Sequence, residues 1–108
     1  MAVNQGTATF TGGTGTKSVA IGMTPIWMEV EFGGTNIRHS WGSVYGGNQY
    51  VYSDDVSSIT SGKIIQVKDT SGTVILEGTF TSFTSGNAIF NVTTAPVTMP
   101  QMLLRFGN

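Results

Sequence analysis

Between Pro25 and Gly33 the chain reads I-W-M-E-V-E-F, and this alternation restricts the fold more than any other stretch. Ile26, Met28, Val30 and Phe32 fall on one side of a strand; Trp27, Glu29 and Glu31 fall on the other. Side chains alternate across a strand with period 2, so one face enters a core and the other meets water or a partner. A helix would scatter the same residues around its surface. The proline just ahead cannot donate to a ladder and suits a strand's start.

Shorter alternating runs recur along the chain, separated by glycine, proline and asparagine. Gln5 to Thr11 predicts a first strand with Ala8 and Phe10 on one side, and Lys17 to Gly22 a second with Val19 and Ile21 pointing one way. Ser53 to Gly62 is polar and reads as a loop. Lys63 to Asp69 and Thr73 to Thr81 predict a hairpin around Asp69-Thr70-Ser71-Gly72, after which Phe80 and Phe83 flank a bend ending at Ser85-Gly86-Asn87. Ala88 to Thr93 and the run holding Met102, Leu104 and Phe106 supply the last strands. Charged residues are 10% of the chain, against the ~25% of an average domain. Threonine, valine, isoleucine and aromatics suit a pleated surface better than a helix. The expectation is all-β, one domain over residues 1–108, as an antiparallel β-sandwich of about nine short strands, with a partly closed barrel as the alternative. Gly6 to Pro25 and Gly78 to Pro96 share a threonine-rich strand, a glycine break, an alternating strand and a closing proline. Either two hairpins of one composition look alike, or the two segments hold related places in facing sheets.

The groups best able to touch a partner gather between Ile37 and Asp55, which hold the only histidine, one of two tryptophans and all three tyrosines. Gly46-Gly47 predicts a two-residue turn, because a type I′ turn needs positive φ at both central positions and glycine takes it without steric cost. That turn sets Tyr45 opposite Asn48, Ser43 opposite Tyr50, Trp41 opposite Tyr52 and His39 opposite Asp54, all on one face. Ser40, Gly42, Val44, Gln49, Val51 and Ser53 take the other face. A three-residue loop would shift the pairing by one and dissolve the arrangement. Three readings of Trp41, Tyr45, Tyr50 and Tyr52 stay open. They are core, or a platform for sugar rings with Asn48, Gln49, Asp54 and Asp55 as hydrogen-bonding groups, or a contact between identical subunits. Trp27, Glu29 and Glu31 on the wet side of the best strand are a second candidate interface, unless another layer covers them.

Other chemistry finds little footing. One histidine and no cysteine leave no zinc set and no disulfide. Asp54-Asp55 could bind calcium only with oxygen ligands from elsewhere, and two solvated aspartates are the simpler reading. His39 facing Asp54 would orient an imidazole, yet no nucleophile motif accompanies the nearby serines. GGTGTKS at Gly12 to Ser18 lacks the spacing of a phosphate loop. Five basic residues are scattered through a chain of net charge −1, which argues against a nucleic-acid partner. The start MAVNQGTATF has no cationic or apolar segment, so neither a signal peptide nor membrane insertion is expected. The NVT at Asn91 then carries no glycan. No catalytic residue, cofactor or metal is expected.

Several motifs together resemble small β-sandwich modules encoded by bacteriophages and prophages. They are S-V-x-x-G-x-x-P at Ser18 to Pro25, W-G-S-V-Y-G-G-N-Q at Trp41 to Gln49, K-I-I-Q-V-x-D-x-S-G-T-V-I at Lys63 to Ile75, then T-F-T-S-F and F-N-V-T. Where the family pattern sets Asp-Gly before Thr-Asn-Gln, this chain has Gly46-Gly47 directly before Asn48-Gln49. The resemblance implies a non-enzymatic virion component of the tail-fibre, tail-tip or head-surface kind. It further implies manufacture in the host cytoplasm and assembly with itself or other virion proteins. A cruder similarity to the H-type lectin sandwich, in Phe10 to Pro25 and the strand after it, carries over no sugar-binding motif. The aromatic hairpin still leaves a lectin-like module for cell-surface glycan as the alternative.

Overall fold

The computed structural model describes residues 3–53 and 59–108. Among them are ten strands: β1 (Val3–Ala8), β2 (Gly15–Ala20), β3 (Trp27–Phe32), β4 (Ser40–Tyr45), β5 (Asn48–Ser53), β6 (Thr60–Ser61), β7 (Ile65–Lys68), β8 (Val74–Thr84), β9 (Asn87–Thr94) and β10 (Met102–Gly107). They form two antiparallel sheets, one of six strands in the order β1-β10-β3-β4-β5-β6 and one of four in the order β2-β9-β8-β7. The chain is a β-sandwich. Its sheets stay separate, so the barrel alternative is not formed.

Alternation decides what lies between the sheets. Met28, Val30 and Phe32 of β3 and Met102, Leu104 and Phe106 of β10 come from the larger sheet. Ile65, Val67, Leu76, Ala88, Phe90 and Val92 meet them from the smaller one. Each large apolar side chain so buried contributes about 1.5–3 kcal/mol. Phe90 is wholly buried, with the Phe10 ring edge-on at 5.3 Å and Phe80 at 6.1 Å. At Gly42 the connection from β6 to β7 passes backbone to backbone against β4, since an added Cβ would lie 1.8 Å from the Ile64 carbonyl oxygen.

Several local expectations change. Ile26 is not inward but 55% exposed, because it precedes the ladder and pleat parity no longer sets its direction. Phe10 is core, yet it lies in the crossing between sheets, after β1 has ended at Ala8. The polar stretch after Ser53 is not all loop, for Thr60 and Ser61 add a two-residue edge to β5. The expected bend is confined to its end, the turn at Ser85-Gly86, and does not break the chain at Phe80 and Phe83. Instead β8 runs on to Thr84, and a bulge between Phe80 and Ser82 absorbs one residue. Two phenylalanines three apart thereby reach the same side, with ring centres 4.6 Å apart. The echoing segments differ in structure: β1 and β2 lie in different sheets, whereas β8 and β9 pair in one. Their likeness is one of composition.

Candidate functional site

The hairpin β4–β5 takes the two-residue register. Gly46 and Gly47 have φ of 58° and 85°, and Tyr45 pairs with Asn48, Ser43 with Tyr50 and Trp41 with Tyr52. Ser40, Gly42, Val44, Val51 and Ser53 are buried on the inner side. The aromatic side is therefore the outer face. Trp41, Tyr45, Tyr50 and Tyr52 are 43%, 64%, 45% and 38% exposed, which overturns their reading as core.

The pairing of β3 with β4 joins the two candidate sites into one surface. Arg105, Glu29, Ser43 and Tyr50 align in one row across β10, β3, β4 and β5. Leu103, Glu31, Trp41 and Tyr52 form the next row, and Trp27, Tyr45 and Asn48 a third. Every one of these side chains stands on the outer face of the six-stranded sheet. Trp41, Ser43, Tyr50, Val51, Tyr52 and Ile59 bound an open hollow of about 190 Å³.

Beside the aromatics runs a chain of ionic hydrogen bonds. Arg105 donates from Nη2 to Glu31 Oε1 at 2.6 Å and from Nε to Glu29 Oε1 at 3.4 Å. His39 Nε2 donates to the second oxygen of Glu31, also at 2.6 Å. The Arg105 hydrogen bond, and after it that of His39, holds the Glu31 carboxyl below the usual carboxylate range. The same bond to Glu31, then that to Glu29, raises Arg105 above its ordinary value. Glu31 is thus a poor proton acceptor, and its two oxygens are committed within the chain.

Gln49, weighed as a hydrogen-bonding group, does not join the site. Gln49 lies on the inner side of β5, where its amide donates to the Phe80 carbonyl at 2.9 Å and accepts from the Phe80 N–H at 2.7 Å. It behaves as a strand neighbour for β8, not as a ligand group. His39 meets Glu31 on the adjacent strand; Asp54 and Asp55, with the expected His39–Asp54 pair and the weighed calcium site, lie outside the described residues. Asn48 is exposed at the turn, in the row of Tyr45 and Trp27. Among the described residues no three acidic or histidine side chains cluster as a metal set.

Sequence reading missed Arg105. Its parity was available, because it alternates with Leu104 and Phe106, which face the core. The neighbour was not, since Glu31 stands 74 residues away in sequence. Comparisons with family models, curated proteins and solved structures find no match for this chain.

Proposed function

We propose that this chain is a non-enzymatic recognition and assembly module of a virion, which meets its partners through the outer face of the six-stranded sheet. The virion setting rests on the motif resemblance. The contact surface rests on one observation: four large aromatics stand exposed on a single regular face, continuous with Trp27. Exposed contiguous aromatic surface marks interaction sites, and tryptophan and tyrosine dominate binding hot spots. The adjacent carboxylates are already paired, with Arg105 and His39, so the face suits a partner that brings aromatic, aliphatic or neutral polar groups.

A second reading, a lectin-like glycan site, is favoured by the hollow beside Trp41. Its volume of about 190 Å³ is below the roughly 300–1,000 Å³ of drug-sized pockets. It has room for one ring. Aromatic walls with hydroxyl tips suit a pyranose, which has an apolar face and a polar rim.

The test pairs stability with binding for Trp41→Ala and Tyr50→Ala. Both variants keep a melting temperature close to the parent's and lose whatever the parent shows on a glycan array or in face-dependent self-association by light scattering. Glycan binding lost with Trp41 selects the lectin reading; association lost with Trp41→Ala and Trp27→Lys selects assembly. A parent that does neither, or variants that unfold, would end the proposal.

A further inference from the structure

We infer that the free edge of β1 pairs antiparallel with β1 of a second copy, so that two six-stranded sheets become one sheet of twelve. The inference concerns a sheet edge and is independent of what the aromatic face binds.

A two-sheet sandwich has four terminal strands, and unpaired edges recruit other chains unless they are blunted. Three are blunted here. On β2, Lys17 points inward and is buried, with its ammonium donating to the Gly12 carbonyl at 3.1 Å and lying 3.4 Å from the Thr11 hydroxyl. An inward charge is a recognised edge guard. On the opposite flank, β6 is two residues long. β7 is four residues long, with a register shift at Val67/Lys68. Its far end is already occupied, because Ile37 bridges Asp69 and the Arg38 N–H donates to the Lys68 carbonyl at 2.8 Å.

β1 has none of these guards. Its six residues, V-N-Q-G-T-A, carry no charge and no proline, and its ladder with β10 runs from Val3 to Ala8 without a shift. In an antiparallel ladder alternate residues direct N–H and C=O away from the paired strand. Among the described residues β1 has no strand partner but β10. The seam beside it is open, with a cleft of about 410 Å³ between β1 and β2.

The occupant is another copy for three reasons. An uncharged strand pairs with itself without repulsion, and the whole chain carries only −1. Antiparallel pairing of identical strands is isologous about an axis normal to the sheet, so it closes at two. The guarded flank at β6 and β7 then stops growth into a fibre. The axis also keeps both aromatic faces on one side. At ~4.8 Å per strand the two β4–β5 hairpins would stand roughly 40 Å apart, a geometry for two-point attachment.

With the axis at Gly6, Gln5 of each copy faces Thr7 of the other on the outer face. Gln5→Glu with Thr7→Glu sets acid against acid across the axis; Gln5→Glu with Thr7→Lys sets acid against base. Gln5 pairs with Arg105 within its own sheet, so the glutamate suits the single subunit. By analytical ultracentrifugation the parent sediments as a dimer. The acid–acid variant dissociates with a Kd raised at least ~10-fold, as like charges directly opposite are unfavourable, and the acid–base variant stays dimeric. Trp41→Ala leaves the dimer intact, which separates the edge from the aromatic face. A monomeric parent at ~100 μM, or a dimer indifferent to the acid–acid change, overturns the inference.

Discussion

The two outer faces of the sandwich are built on the same pleat and carry opposite kinds of side chain. On the four-stranded sheet, Thr16, Ser18, Thr79, Glu77, Gln66, Asn91 and Lys68 alternate with buried neighbours, and no aromatic is among the strongly exposed residues. On the six-stranded sheet the same outward positions hold Trp27, Trp41, Tyr45, Tyr50 and Tyr52. The first face, mostly polar with Ile89 beside Ser18, shows that a sheet of this protein is covered without exposed rings. Neither folding nor solubility asks for rings on the second. What is in excess there is contact surface, and the difference between the faces is the main support for a binding role.

That comparison requires the β4–β5 hairpin to be seated on the core as described, and Gly42 is the sharpest way to break it. A Cβ 1.8 Å from the Ile64 carbonyl forces backbone to move. Gly42→Ala should cost at least about 4 kcal/mol or abolish folding, which places it among the largest single-residue effects. Urea unfolding followed by circular dichroism measures it. A variant as stable as the parent would mean that the inner side of the hairpin does not meet Ile64, and the outward placement of the rings would fall with it.

Gln49 comes next. Its amide stitches β5 to Phe80 through two hydrogen bonds, one donated and one accepted. Gln49→Ala leaves the half-buried N–H and C=O of Phe80 without that partner, at about 1–3 kcal/mol. Asn48→Ala, one residue earlier and exposed, should fall within about 0.5 kcal/mol of the parent. Thermal melts of the pair decide whether adjacent amides really serve opposite faces. Equal losses would contradict the register.

Much of this was legible from local pattern. Alternation in β3 and β10 gave the inward residues, and the turn chemistry of Gly46-Gly47 was enough to set every described pair of the hairpin. Local pattern could not say which strands become neighbours. β10 inserts between β1 and β3, and nothing near Arg105 in sequence announces Glu29 and Glu31, because pairing over such separations is decided by the whole core and not by any turn. Exposure of the rings was equally hidden: a hairpin with aromatics on one side and Val44 and Val51 on the other can bury either. The smaller residues won because Gly42 lets the Ile64 backbone approach, a contact with no local signature.

A direct test of the contrast changes one residue on each face. Trp41→Ala and Thr79→Ala should each cost about 1 kcal/mol or less, since cross-strand pairs on open faces contribute on that scale. Only the first should reduce binding or face-dependent association. If Thr79→Ala impairs them equally, the faces are not functionally different. If Trp41→Ala instead costs about 3–5 kcal/mol, the ring is core and the recognition surface is lost.

The smallest expected effect concerns the acids, one from each face. Both Glu31 and Glu77 are held below the ordinary value of 4.5, Glu31 chiefly by the Arg105 hydrogen bond and Glu77 chiefly by the Gln66 amide, then by Lys63. A carboxyl whose folded pKa is depressed stabilises the fold above its unfolded pKa, and that contribution fades as pH falls through the lower folded value. Both therefore support stability at neutral pH and withdraw it in acid. Each pair is partly exposed, so a few tenths of a kcal/mol is the expected scale. Salt separates them. The leading partner of Glu31 is a cation, whose attraction is screened at ~1 M salt, where the Debye length is about 3 Å; the leading partner of Glu77 is a neutral amide. Melting temperatures from neutral pH down through the acid limb, for Glu31→Gln and Glu77→Gln in low and high salt, should show the Glu31 difference shrinking more with salt. A Glu31 difference that salt does not touch would mean that the carboxylate on the aromatic face is held by geometry alone. Arg105 would then be its spacer, not its counter-charge.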